Sequence, residues 1–315
     1  MIEVNRLVRR YGDFAAVDDV SFSITPGEVV GLLGHNGAGK TTIMKMLTGY
    51  IEPSEGQVLV NGVDVQSDPL GVQAQMGYLP ESLPIYPELT VADYLVHTAH
   101  LRGLAPKDCV PAALTATQMT DKAFDRIDTL SRGYKQRLGV AQAILHKPRF
   151  LVLDEPSNGL DPNQIQHMRS LIRGLAEHAT ILLSTHIMRE VDAVCDRVLI
   201  VRNGKLVVDE RLSDLQRATR ILLRSAEDAG VPAALEGLAQ IDDVSGAAGA
   251  WSIRLGDAQN APPGEPGLNL DAVIAQVADA LVAAKIPIYS LSPESRDLES
   301  VFAEANQVEE MTNAA

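Results

Sequence analysis

The sequence has almost no cysteine. Cys109 and Cys195 lie far apart in 315 residues, with no metal-type spacing between them. That excludes a disulfide framework and a thiolate metal site, and it fits a reducing compartment. Positive charge is also scarce. Lys and Arg number 27 against 41 Asp and Glu, a formal net charge of −14. So acidic a chain lacks the basic stripes that grip a phosphate backbone, so no nucleic-acid partner is expected. No apolar run reaches the ~18 residues of a membrane span. The longest candidate, residues 272–286, is broken by Gln276, Asp279 and Lys285. Met1-Ile2-Glu3-Val4 leads straight into strand-like sequence without the marks of a signal peptide. A cytosolic protein is expected, with any membrane association made through a partner.

What is present suffices for globular cores: 46% of the residues are hydrophobic, and the length of 315 fits about two domains. The acidity is uneven. From Gln216 onward 6 Lys/Arg stand against 15 Asp/Glu, so the last third differs in character from the rest.

The most informative stretch is Gly34-His35-Asn36-Gly37-Ala38-Gly39-Lys40-Thr41-Thr42. It fits G-x-x-x-x-G-K-[ST], with Gly34, Gly39, Lys40 and Thr41 in the fixed places. Val29-Val30-Gly31-Leu32-Leu33 before it reads as a buried strand, and Ile43-Met44-Lys45-Met46-Leu47 after it as a helix. Glycines let backbone N–H groups approach phosphate oxygens, and the helix N-terminus adds a favourable dipole. Lys40 would sit on the β- and γ-phosphates of a triphosphate, and the Thr41 hydroxyl would ligate Mg²⁺. The bland alternative is a Gly-rich turn with a surface lysine; the strand–loop–helix context weighs against it.

Other segments gain meaning from this one. Tyr11, beside Gly12, is either a surface turn residue or an aromatic placed to stack on a purine. Asn61-Gly62 between short strands is a hairpin signal. Glu81 follows Pro80 at the end of the strand Met76-Gly77-Tyr78-Leu79, where a lone glutamate is ordinarily a solvated loop residue. Residues 90–147 read as helical, opening on a Thr90 cap; Ser131, in Leu130-Ser131-Arg132-Gly133-Tyr134-Lys135-Gln136-Arg137, reads as another N-cap. Phe150-Leu151-Val152-Leu153 runs apolar into Asp154-Glu155. Acids at the C-terminal edge of a buried strand lie where α/β sheets bind ligands. Asp154 suits Mg²⁺, and Glu155 suits orienting or deprotonating a water; the alternative is a structural acid pair. A second such strand, Thr180-Ile181-Leu182-Leu183-Ser184-Thr185, ends at His186, which is either a structural histidine or a catalytic one.

Taken in order, these segments make residues 2 to about 215 resemble the ATP-binding subunit of an ABC transporter. Tyr11 matches the adenine-stacking aromatic, and Gly34 to Thr42 match Walker A. Glu81 falls at the Q-loop position, and Leu130 to Gln136 match the signature motif. Leu151 to Glu155 match Walker B with its catalytic glutamate. Ser157-Asn158-Gly159-Leu160-Asp161 resemble the D-loop, and His186 the switch histidine. The resemblance implies a P-loop NTPase fold: a RecA-like α/β core, an antiparallel β subdomain and a helical subdomain at about 83–147. It implies ATP bound by Tyr11, Gly34, Asn36, Gly37, Ala38, Gly39, Lys40, Thr41 and Thr42. Ser131, Gly133, Gln136 and Asp161 would complete the site of a second copy in a head-to-tail dimer. Mg²⁺ would be held by Thr41, Asp154 and Glu81, and catalysis carried by Glu155, His186 and Glu81. The helical region would touch a membrane permease near Glu81, placing the protein at the cytoplasmic face of the cell membrane.

Two positions depart from the family pattern. Arg132 and Tyr134 replace a glycine and a glutamine of the signature, and Glu81 replaces the Q-loop glutamine. Both features are similar to the ABC-2-type exporter branch, including its gliding-motility-type members, as are Gly77-Tyr78-Leu79-Pro80-Glu81 and Asp297-Leu298-Glu299-Ser300-Val301-Phe302. A regulatory importer subunit whose tail senses a small molecule is one alternative. A soluble ABC ATPase acting on ribosomes or DNA is another. Residues 216–306 read as βαββαβ, which suggests a ferredoxin-like α/β domain, with a helix at 231–239, a Pro/Gly loop at 261–267, a strand at 286–291 and a helix at 298–305. No catalytic constellation appears there, and docking or dimer support is the expected role. Residues 307–315 read as a frayed tail.

Overall fold

A computed structural model describes residues 1–215, 220–226, 230–256, 270–294 and 298–303. The expected loop at 261–267 and tail at 307–315 lie outside them. The chain divides into two compact units. One covers Met1–Leu212 and resumes at Phe302; the other is Ser213–Val301.

In the first unit, β1 (Ile2–Tyr11) and β2 (Phe14–Ile24) form a hairpin, followed by β3 (Val29–Leu33) and helix α1 (Lys40–Leu47). Then come β4 (Glu55–Val60), β5 (Val63–Asp64), α2 (Pro69–Gln73) and β6 (Met76–Leu79). Three helices follow: α3 (Val91–Leu101), α4 (Pro106–Ala116) and α5 (Arg132–Ile144). The chain returns through β7 (Phe150–Asp154), α6 (Pro162–Ala176), β8 (Thr180–Thr185), α7 (Met188–Val194), β9 (Arg197–Arg202) and β10 (Lys205–Arg211). A short turn of helix, α8 (Leu212–Leu215), comes next.

Two sheets result. A four-stranded antiparallel sheet has the order β2-β1-β4-β5, and a six-stranded sheet has the order β10-β9-β3-β8-β7-β6. In the second sheet β9, β3, β8, β7 and β6 run parallel and only β10 is antiparallel. Every residue of β3, β6, β7 and β8 is buried. That burial is why their sequences are apolar runs rather than alternations. Because β3, β6, β7 and β8 are parallel, the loops after all four leave from the same edge of the sheet. The helices α3, α4 and α5 build a separate core around Leu95, Met119 and Leu138. Thr90 caps α3 by accepting from Asp93 N, and Ser131 caps α5 by accepting from Tyr134 N, as their sequence positions predict.

In the second unit the order is β11 (Arg220–Arg224), α9 (Val231–Leu235), β12 (Ile241–Ala247), β13 (Ala250–Leu255), α10 (Leu270–Ala283) and β14 (Ser290–Pro293). The sheet order is β12-β13-β11-β14, all antiparallel. Ile221, Leu223 and Ile253 of the sheet pack with Val273, Val277 and Leu281 of α10. Two boundaries differ from the sequence reading. The expected helix at 231–239 stops at Leu235, just before Gly237, whose φ is +96°. The expected strand at 286–291 begins only at Ser290. The Ile286 N–H is spent on Leu281 O at the end of α10, and Pro287 has no N–H to give a ladder.

Candidate functional site

The loop between β3 and α1 is shaped by glycines. Gly39 precedes α1 at φ +108°, and a Cβ there would lie 2.5 Å from Ala16 O. At Gly34 a Cβ would lie 2.4 Å from Val201 O. Side chains are barred at both places, by backbone angle in one and by a carbonyl in the other. The loop thereby keeps its own backbone facing a cleft of about 550 Å³.

Lys40 rises into this cleft from the first turn of α1. Its Nζ donates to Gly34 O at 2.7 Å and to His35 O at 3.3 Å, and lies 3.6 Å from Glu155 Oε1. Lys40 is 6% exposed and Glu155 is 7% exposed, so this is a desolvated pair held by its surroundings. Glu155 follows β7 at φ +49°, an uncommon angle for a residue with a side chain. Its other oxygen, Oε2, is 2.9 Å from Nδ1 of His186, which follows β8. Beneath them Ser184 Oγ donates to Asp154 Oδ1 at 2.6 Å and accepts from Glu155 N at 2.9 Å. Asp154 is fully buried, and its Oδ2 has no hydrogen-bond partner.

The structure therefore brings together most of the sequence-predicted residues. Tyr11, Asn36, Gly37, Gly39, Lys40, Thr41, Thr42, Glu81, Glu155 and His186 line the cleft. Gly34 and Ala38 are buried in the loop's backbone turn. Tyr11 stands at the end of β1, 49% exposed, with the Arg9 guanidinium 4.7 Å from its ring centre. Glu81 reaches the loop after Glu155, where Asn158 Nδ2 is 3.5 Å from its Oε1. Ser131, Gly133 and Gln136 do not line this cleft; they sit on α5, where Gly133 is crowded by Gln164. Asp161 spends its carboxylate capping α6, accepting from Gln164 N at 2.9 Å.

Sequence reasoning missed two contributors. Phe14, 65% exposed, lines the cleft and is the strand partner of Tyr11 across the hairpin. Its sequence signal was an aromatic three residues after another, across a Gly-Asp turn. Ser184, the link between Asp154 and Glu155, carried no signal beyond its place in an apolar strand. Near the loop, the Phe302 ring is centred 5.0 Å from that of His35.

Residues 17–158 match the family described as ABC transporter. The chain is 36% identical over 233 residues to the uncharacterized ABC transporter ATP-binding protein YxlF of Bacillus subtilis (strain 168), covering 72% of this chain and 77% of that protein. This chain belongs to the ABC transporter ATP-binding proteins. It is also 35% identical over 222 residues to the bacitracin transport ATP-binding protein BcrA of Bacillus licheniformis, covering 70% of this chain and 72% of that one. Among solved structures, an ATP-binding subunit of an ABC transporter superposes with a TM-score of 0.62 at 32% identity, covering 69% of this chain and 92% of that one. The first unit is an ABC nucleotide-binding domain, and the protein is an ABC ATPase. No helix among the described residues is long and apolar enough to cross a membrane.

Proposed function

We propose that this chain is the ATP-hydrolysing motor subunit of an ABC-2-type exporter. The observation that carries the catalytic part is Glu155, whose carboxylate lies between the Lys40 ammonium at 3.6 Å and the His186 imidazole at 2.9 Å. A carboxylate held there is placed to polarise or deprotonate a water attacking the γ-phosphate. His186 would hold the γ-phosphate and Lys40 the β- and γ-oxygens. The loop from Gly34 to Thr42 would wrap the phosphates with N–H groups, and Tyr11 would stack on adenine.

Magnesium fits the residues present. Asp154 Oδ2 is buried without a partner next to Glu155, and Thr41 and Glu81 line the cleft that Glu155 also lines. These three would hold the ion, which would supply charge neutralisation at the phosphate oxygens. Among the described residues no group of three or more His, Cys, Asp or Glu is gathered for a metal. A Mg²⁺ ion at this site would accordingly draw further oxygens from phosphate and water.

A single chain's cleft contains none of the signature residues Ser131, Gly133 or Gln136. That supports completion of each site by a second copy, with Ser131 and Gly133 reaching the partner's γ-phosphate. Closure on ATP and reopening after hydrolysis would then drive a permease docked on the helices near Glu81. The exporter branch draws support from Glu81 and Arg132, and a transport role from the name of the bacitracin transport protein BcrA. The test has two parts. Purified chain should hydrolyse Mg-ATP. Tagged chain drawn from gently solubilised native membranes should carry a stoichiometric polytopic membrane protein. Recovery with ribosomes alone would leave the ATPase and remove transport.

A further inference from the structure

Glu190 is a buried carboxylate with no place in the reading above. It sits in α7, four residues past His186, and is 3% exposed. An apolar side chain would fill that space without the cost of desolvating a carboxyl group. Its contacts explain its presence. Glu190 Oε2 accepts from Thr185 Oγ1 at 3.0 Å, and the same Thr185 hydroxyl accepts from Ile187 N at 3.1 Å. The backbone on both sides of His186 is thus tied to one carboxylate. On its other side lies Ser157, 3% exposed and two residues past Glu155, while the buried Glu190 Oε1 has no hydrogen-bond partner. Burial pushes the Glu190 pKa up; the Thr185 hydrogen bond, the nearby Ser157 hydroxyl and the charge of Arg169 oppose that, and the Glu155 charge adds to it. Arg169 belongs to α6, and its buried Nε has no hydrogen-bond partner.

We infer that Glu190 is a positioning residue for ATP hydrolysis, fixing through Thr185 the turn that holds His186 against Glu155. It does not line the cleft. Its effect is to keep the His186 ring and the Glu155 carboxylate at 2.9 Å, in register with the phosphate loop. Displacement of a reacting group by about 1 Å can cost roughly a hundredfold in rate, so a tie of this kind governs turnover more than affinity. The inference rests on the reading of Glu155 and His186 as the hydrolytic pair.

The experiment measures kcat and KM for Mg-ATP with the purified full chain, together with its affinity for a fluorescent ATP analogue. Thr185→Val is nearly isosteric and should fold. It is expected to lower kcat about tenfold with KM within about twofold, as is Glu190→Ala. Glu190→Gln keeps an oxygen for Thr185 and should recover kcat to within about threefold of the parent. The double variant Thr185→Val/Glu190→Ala should fall no further than the worse single one, because both break the same tie. His186→Ala separates the two layers of argument. If it hydrolyses ATP at the parental rate, the reading of the site fails. If it is inactive while Thr185→Val retains full kcat, or if the two losses multiply, the positioning role of Glu190 is overturned.

Discussion

His186 Nδ1 and Glu155 Oε2 are 2.9 Å apart although 31 residues separate them in the chain. They meet because β7 and β8 are parallel neighbours, with Asp154 paired to Ser184. Each follows its strand by one residue, so a two-strand register sets the distance between the two side chains.

Replacing Glu155 by Gln keeps the shape and removes the base. Turnover should fall at least about a hundredfold, while ATP affinity stays within about threefold. Single-turnover hydrolysis and equilibrium binding check this. Hydrolysis at the parental rate would assign the base elsewhere.

Lys40→Ala removes the ammonium from the loop and leaves Glu155 buried without its cation. ATP affinity should drop on the order of 10- to 100-fold, the size of one or two charge-assisted hydrogen bonds. Titration with a fluorescent ATP analogue reads it. Near-parental affinity would remove the loop as the phosphate site.

Glu81→Gln restores the residue type that the family ordinarily has at this position. Activity should survive, and the amide should still meet Asn158, which lies 3.5 Å from Glu81 Oε1. The measurement is the Mg²⁺ dependence of hydrolysis. A collapse at saturating Mg²⁺ would make the extra carboxylate part of the ion's shell.

His146 supplies a pH effect on stability. Its Nε2 donates to Met76 O at 3.0 Å, and burial, with the nearby Arg102 charge, lowers its pKa to about 4. The unfolded chain binds the proton near pH 6.5 and the folded chain only near 4. The unfolded state therefore holds more protons across that window, and stability falls as the pH drops through it. Discounted for partial exposure, the loss is on the order of 1 kcal/mol. Thermal melts at pH 7 and pH 4.5 should differ less in His146→Gln than in the parent; an unchanged difference would place the effect on other groups.

The sequence by itself determined the phosphate loop, the caps at Thr90 and Ser131 and the apolar strands ending in Asp154-Glu155 and His186. Each is a local pattern, fixed by neighbours within a few residues: glycines where no Cβ fits, an oxygen one turn before a helix, unbroken apolar runs where both faces are covered. Only the tertiary structure decided which strands lie side by side. The order β3-β8-β7 brings Lys40, His186 and Glu155 into one cleft, inserts Ser184 between Asp154 and Glu155, and sets Phe14 beside Tyr11. It also buried Glu190, a commonplace helix glutamate in sequence, against the Thr185 hydroxyl beside His186. Strand order and burial arise from contacts between residues tens of positions apart, and no local pattern encodes those contacts.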